Sequence, residues 1–269
     1  HIAAQATVSG FATRSAAQRQ ATIERMQAER ATAGTDPTDE RLLGAMRTMN
    51  ERLNAAAVEN PWNAYQQAGG PIDNPVLDAA NPAAAGQILA YRMQNISAVE
   101  AWAGRKVSPL QPQEVEQVQK MVKVLPPDQA ATMLAGFGAK LGDSERVAAM
   151  GKQLHDKDGA LGLAMMYANA QTSAGRHVAE LVLLGQQALV DKRAAVDSAA
   201  ETGWKSEIAK QIRGAYSNRE VEDAGVQAAY FIAAANYVKD GSADIDRAVR
   251  LATGGIIERN GQKIPLPWA

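Results

Sequence analysis

The stretch from Val115 to Leu154, VEQVQKMVKVLPPDQAATMLAGFGAKLGDSERVAAMGKQL, decides the fold. Its apolar residues recur three and four apart in successive sets: Val115, Val118, Val122 and Leu125; then Ala130, Met133, Phe137 and Leu141; then Val147, Met150 and Leu154. That recurrence lines each set along one face of an amphipathic helix, whereas a half-buried strand would alternate every second residue. Pro126-Pro127 and Gly142-Asp143 fall between the sets, where helices must stop and start again. Short helices joined by short links form αα-hairpins, so the pattern predicts an irregular antiparallel array.

The same reading extends outward in both directions. Upstream, a helix over 83–103 carries Ile88, Tyr91, Ile96, Val99 and Trp102, and Ser108-Pro109-Leu110-Gln111-Pro112 breaks the chain after it. Downstream, helices are expected over 158–172, 175–191 and 196–214. A capping box at Ser217-Asn218-Arg219-Glu220 then opens 218–239, with Val221, Gly225, Ala228, Ile232 and Ala235 on one face. A short helix over 243–252 ends at Gly254-Gly255, and Ile256 to Ile264 gives the one β signal. There Asn260-Gly261 sits between short flanks and suits a type I′ turn, so a hairpin is expected at about 256–264.

The first sixty residues are polar. A helix over 12–32 is expected to end near Gly34, and Asp36-Pro37-Thr38-Asp39 supplies an N-cap, a proline at the first helical position and an acidic first turn for the next. On that second helix Leu42, Met46, Met49, Leu53 and Ala56 form a heptad-like seam, the nominated interaction surface. Asn60-Pro61-Trp62, Gly69-Gly70-Pro71, Asn74-Pro75 and Asn81-Pro82 interrupt 61–82, which reads as a linker. The expected organisation is polar N-terminal helices over 1–60, the linker over 61–82, and a helical domain over 83–269. The fold class is all-α with one small C-terminal β-hairpin.

Composition supports this reading and excludes several chemistries. Alanine is abundant, while the 3 Phe and scattered β-branched residues are too few to fill a large sheet. With 0 Cys there is no disulfide framework, thiolate metal site or cysteine nucleophile. The 28 Lys and Arg nearly balance 29 Asp and Glu and are interspersed with them, so no nucleic-acid footprint stands out. Gly159–Ala170 and Tyr230–Val238 are too short to span a bilayer, which takes about 20 apolar residues. The opening His1-Ile2-Ala3-Ala4 has no basic or apolar signal region, so no secretory signal is visible, and the chain reads as part of a longer polypeptide.

Each chemical candidate falls short of a motif. Gly136-Phe137-Gly138-Ala139-Lys140-Leu141-Gly142 resembles a dinucleotide-binding glycine series, but helical periodicity precedes it where a strand is required, so close packing and a helix cap are expected instead. His155 and His177 lack partner ligands at metal-binding spacing, so no metal and no cofactor are expected. Gly159-Ala160-Leu161-Gly162-Leu163-Ala164-Met165 is similar to the G-A-x-G-L-M-Q segment of lytic transglycosylases, which follows a catalytic Glu-Ser. The nearest upstream acid, Glu145, follows a serine rather than preceding one, and Met166-Tyr167 replaces the glutamine-containing end.

Taken together, the Ala- and Gln-rich helices, the segment from Leu110 to Arg193 and the closing Gly-Gly-Ile-Ile-Glu-Arg-Asn-Gly-Gln-Lys-Ile-Pro-Leu-Pro (Gly254 to Pro267) resemble the helical part of large internal virion proteins of tailed bacteriophages and prophages. The resemblance covers roughly residues 105–269. It implies a non-catalytic structural or interaction segment, located in the virion or the host bacterial cytoplasm. Its implied partners are other virion proteins, other parts of its own polypeptide or further copies, with no specific nucleic acid and no transmembrane span. Such proteins often carry a separate lytic transglycosylase domain. The alternative is therefore a muralytic lysozyme-like enzyme using Glu145 as general acid.

Overall fold

A computed structural model describes residues 10–33, 36–170, 172, 174–191 and 198–266. The opening His1–Ala4, the helix end at Gly34, the start of the 196–214 helix and Pro267 lie outside them. Among the described residues the chain is all-α apart from one two-stranded antiparallel hairpin. It divides into two compact units, His1–Gln117 and Val118–Ala269.

The first unit contains α1 (Ala16–Ala33), α2 (Pro37–Glu59), α3 (Pro61–Gln67), α4 (Pro82–Ala103) and a 3₁₀ turn over Pro112–Glu114. Arg30 pairs with Glu40, and Arg19 reaches Asn50 and Asn54, so α1 and α2 run antiparallel. As the sequence suggests, Asp36 caps α2, its carboxylate accepting from the Thr38 N–H at 2.8 Å.

The segment 61–82 is not a linker. Asn60 caps α3 and Asn81 caps α4, each with a proline at the first helical position, so two of its Asn-Pro pairs start helices. Trp62, Tyr65, Ile72 and Leu77 are buried in this unit. The irregular backbone from 68 to 81 is held by side chains. Tyr91 accepts from the Asp73 N–H at 2.8 Å, Glu114 accepts from Leu77 N–H at 2.7 Å, and Arg92 donates to the Pro75 carbonyl at 2.6 Å.

The second unit contains most of α5 (Val115–Val124), then α6 (Pro127–Leu141), α7 (Ser144–Lys157), α8 (Gly159–Ala168), α9 (Gly175–Val190), α10 (Ser198–Ile212), α11 (Arg219–Asp240) and α12 (Ile245–Thr253). α8 is buried on nearly every side, from Ala160 to Met165 and again at Ala168, as an apolar helix without a polar face must be. α6, α7, α9 and α11 pack around it. The α11 cap is Asn218, one residue past the expected Ser217, and Val221 on its first turn is exposed while Gly225, Ala228, Ile232 and Ala235 are buried.

The hairpin pairs β1 (Ile256–Arg259) with β2 (Gln262–Pro265). Asn260 and Gly261 have φ of 54° and 74°, the doubly left-handed backbone of a type I′ turn. Among the described residues no helix is long and apolar enough to cross a membrane.

Candidate functional site

The nominated seam is occupied within its own unit. Met46 is fully buried with Phe11, Ile23 and Leu43, while Leu42 and Met49 lie half-buried at the rim of that cluster. Leu53 leans on a second cluster around Trp62 and Trp102. The buried start of the seam is Leu43, with Leu42 displaced to the rim, because the helix turns its inner face toward α1. Within the chain, the seam packs on α1 and on the cluster around Trp62 and Trp102.

Behind the seam the unit encloses a cation that the sequence pattern does not reveal. Arg19 is fully buried and donates to Asn50 Oδ1 at 2.9 Å, Asn54 Oδ1 at 2.9 Å and the Arg14 carbonyl at 2.7 Å. Its guanidinium lies 5.2 Å from the Trp102 ring centre. Burial lowers its pKa from the ordinary arginine value, and neutral acceptors plus an aromatic face hold the charge.

Glu145 is exposed in the first turn of α7, where its N–H is bound by the Asp143 carboxylate at 2.8 Å. The Gly159–Met165 segment that resembles a transglycosylase motif is the central buried helix α8. Its glycines permit close packing: a Cβ on Gly162 would come within 2.6 Å of the His155 backbone nitrogen. Asp158 caps α8 and is also bound by Gln119 at 2.9 Å and Gln186 at 2.8 Å. The glycine series at 136–142 is likewise helix and cap, with Gly142 at φ 62° and its N–H on the Gly138 carbonyl.

His155 Nδ1 lies 3.1 Å from the Gly159 carbonyl, and His177 Nδ1 lies 3.4 Å from Glu180. Among the described residues no group of three or more His, Cys, Asp or Glu could hold a metal ion.

Two polar constellations emerge only in three dimensions. In one, Glu201 Oε1 accepts from Lys205 Nζ at 2.6 Å and from the Tyr230 hydroxyl at 2.6 Å, and Lys205 lies 4.5 Å from the Tyr230 ring centre. The four-residue spacing of Glu201 and Lys205 is readable as a helix pair, but the approach of Tyr230 from α11 is not. The hydrogen bond from Lys205, and after it that from Tyr230, holds the Glu201 carboxyl below its ordinary pKa. Burial first, then the bond to Glu201, pushes the Tyr230 phenol above its ordinary value.

The signs give a pH window. The Glu201 contribution is present above the ordinary carboxylate range and fades as pH falls through its lowered pKa. The Tyr230 contribution is present below about 10, the ordinary phenol value, and is lost as pH rises through its raised pKa. Ultraviolet titration of the protein minus its Tyr230→Phe variant should reveal a phenol ionising later than free tyrosine. Glu201→Gln should bring it part of the way back, since burial remains. A Tyr230 difference signal that coincides with free tyrosine would contradict the arrangement.

The second constellation lines a groove of about 690 Å³ beside the hairpin, with Lys210, Gln211, Asp246, Arg250, Glu258 and Lys263 on its walls. Lys263 donates to the Lys210 carbonyl and, at 3.0 Å, to the Arg213 carbonyl, neutralising the C-terminal end of α10 and pinning the hairpin there. Gln211 donates to Asp246 at 2.8 Å across the same groove. Its polar groups thus fix elements to one another, while Ile257 and Ile264, whose side chains alternate to the opposite face of the hairpin, are exposed. In comparisons with known proteins, no family model, no curated protein and no solved structure matches this chain.

Proposed function

We propose that the chain is a non-catalytic structural and interaction segment of a virion-associated protein of a tailed phage or prophage. The observation that carries the reading is the closing Gly254–Pro267 phrase at the end of the Ala- and Gln-rich helical train, which resembles the helical part of internal virion proteins. The disposition of polar side chains supports a structural role: Asp158, Lys263 and the Arg92–Glu114 pair each cap or brace backbone. Partners under this reading are other virion proteins, other parts of the polypeptide or further copies, in the virion or the host cytoplasm.

Mass spectrometry of purified particles from the encoding prophage should recover peptides of this chain. Their absence from particles that contain the other structural proteins would sink the proposal. Turbidity of purified cell walls should stay unchanged with the chain present. Clearance lost in Glu145→Gln yet kept in Glu207→Gln would replace this reading with the muralytic one.

A further inference from the structure

We propose that the outer edge of β1 pairs antiparallel with β1 of a second copy, about a two-fold axis through Ile257, joining two hairpins into one four-stranded sheet. The inference rests on the hairpin's hydrogen-bond phase and is independent of the virion reading.

The Leu266 N–H bonds the Gly255 carbonyl at 2.8 Å, and the strands pair Ile256 with Pro265, Ile257 with Ile264, Glu258 with Lys263 and Arg259 with Gln262. Antiparallel pairs alternate between hydrogen-bonded and non-hydrogen-bonded, so the backbones of Gly255, Ile257 and Arg259 point inward. Those of Ile256 and Glu258 point outward on β1, and those of Lys263 and Pro265 on β2. The two edges are therefore unequal. Pro265 has no N–H to offer, which blunts the β2 edge, while β1 presents complete amides at Ile256 and Glu258. Among the described residues nothing bonds those outward groups.

The β1 edge is also self-complementary. Its two outward residues flank Ile257 symmetrically, so a two-fold there sets Ile256 opposite Glu258 of the second copy and Glu258 opposite Ile256, each pair exchanging both N–H···O=C bonds. Ile257 then faces its own counterpart in the closer, non-hydrogen-bonded type of pair. Like charges are nowhere directly opposed, since Arg259 would face Gly255. One face of the joined sheet would carry Ile264, Ile257, Ile257 and Ile264 in a row. Ile257 and Ile264 are 44% and 39% exposed in the single copy, so pairing would bring together apolar side chains that now face solvent. A two-stranded sheet is marginal alone, and a third and fourth strand remedy that.

The contact is small against the roughly 1,200 Å² of a stable interface, so a dissociation constant on the order of 0.1–1 mM is expected. Sedimentation of the full chain up to about 1 mM should show a monomer–dimer equilibrium. Ile257→Lys, which sets two ammonium groups face to face, should weaken it about tenfold or more, and Ile264→Lys, one strand removed from the axis, less than about threefold. Because the chain has 0 Cys, Ile257→Cys gives a single thiol that should oxidise to a covalent dimer, while Ile264→Cys should not. A chain that stays monomeric throughout this range, equal weakening by the two lysines, or equal cross-linking by the two cysteines would overturn the proposal.

Discussion

Glu114→Gln is expected to destabilise the first unit by about 3–5 kcal/mol, because it strands a fully buried guanidinium. Arg92 and Glu114 are both entirely without solvent exposure. One Glu114 oxygen accepts from Arg92 at 2.7 Å and from the Leu77 N–H at 2.7 Å; the other accepts a second bond from Arg92 and one from the Gln111 N–H at 2.8 Å. Arg92 also donates to the Pro109 carbonyl at 2.7 Å and the Pro75 carbonyl at 2.6 Å, and it lies 5.7 Å from the Trp62 ring centre. A buried ion pair can often be exchanged for apolar residues at little cost. Here that exchange should fail. In Arg92→Met with Glu114→Leu, the Leu77 and Gln111 N–H groups and the Pro75 and Pro109 carbonyls lose these partners, and each buried orphan costs about 1–3 kcal/mol. The measurement is chemical denaturation monitored by fluorescence, to which Trp62 and Trp102 contribute from this unit. A double variant close to the parent in stability would refute the idea that the pair exists to hold backbone.

That pair also marks where the sequence stops being legible. Helices and hairpin are readable because their causes are local: apolar residues three and four apart, a proline after a cap, and Asn260-Gly261 between two short apolar flanks. The segment 61–82 reads as a linker, wrongly, because Asn-Pro and Gly-Gly-Pro look like breaks one at a time. An Asn-Pro can end a helix or start one, and at Asn60 and Asn81 it starts one. The irregular stretch between them packs only because Tyr91, Arg92 and Glu114 supply its hydrogen bonds from positions far along the chain. No local pattern announces that. Arg19 is a similar case, since nothing in a polar helix distinguishes the arginine that turns inward from Arg14, Arg25 or Arg30. The seam is legible to within one residue. Periodicity gives the face, and the tertiary partner decides whether Leu42 or Leu43 sits at its centre. Candidate site chemistry is the least legible, because Glu201, Lys205 and Tyr230 meet only once α10 and α11 pack.

Gly185→Ala should be among the most damaging single-methyl changes in the second unit, costing about 2–4 kcal/mol. A Cβ built on Gly185 would lie 1.8 Å from the Phe231 carbonyl oxygen, 2.6 Å from its carbon and 3.1 Å from its Cα. The obstacle is the backbone of α11, which cannot rotate aside as a side chain can, so α9 and α11 would have to move apart. That movement would loosen the contacts of Ala188 with Ala234, both fully buried at the same crossing. Gly136→Ala supplies the opposite control. Nothing lies within 4 Å of a Cβ there, and the residue is in the interior of α6. Alanine at such a helical site should stabilise by about 0.4–1 kcal/mol by narrowing the unfolded ensemble. Sequence alone treats the two glycines alike, as weak points in otherwise good helices, whereas the packing assigns them opposite signs. Thermal unfolding of both variants by circular dichroism would decide it. If Gly185→Ala left the midpoint where Gly136→Ala does, the close crossing of α9 and α11 would be wrong, and with it the account of why this Ala-rich unit packs its helices so tightly.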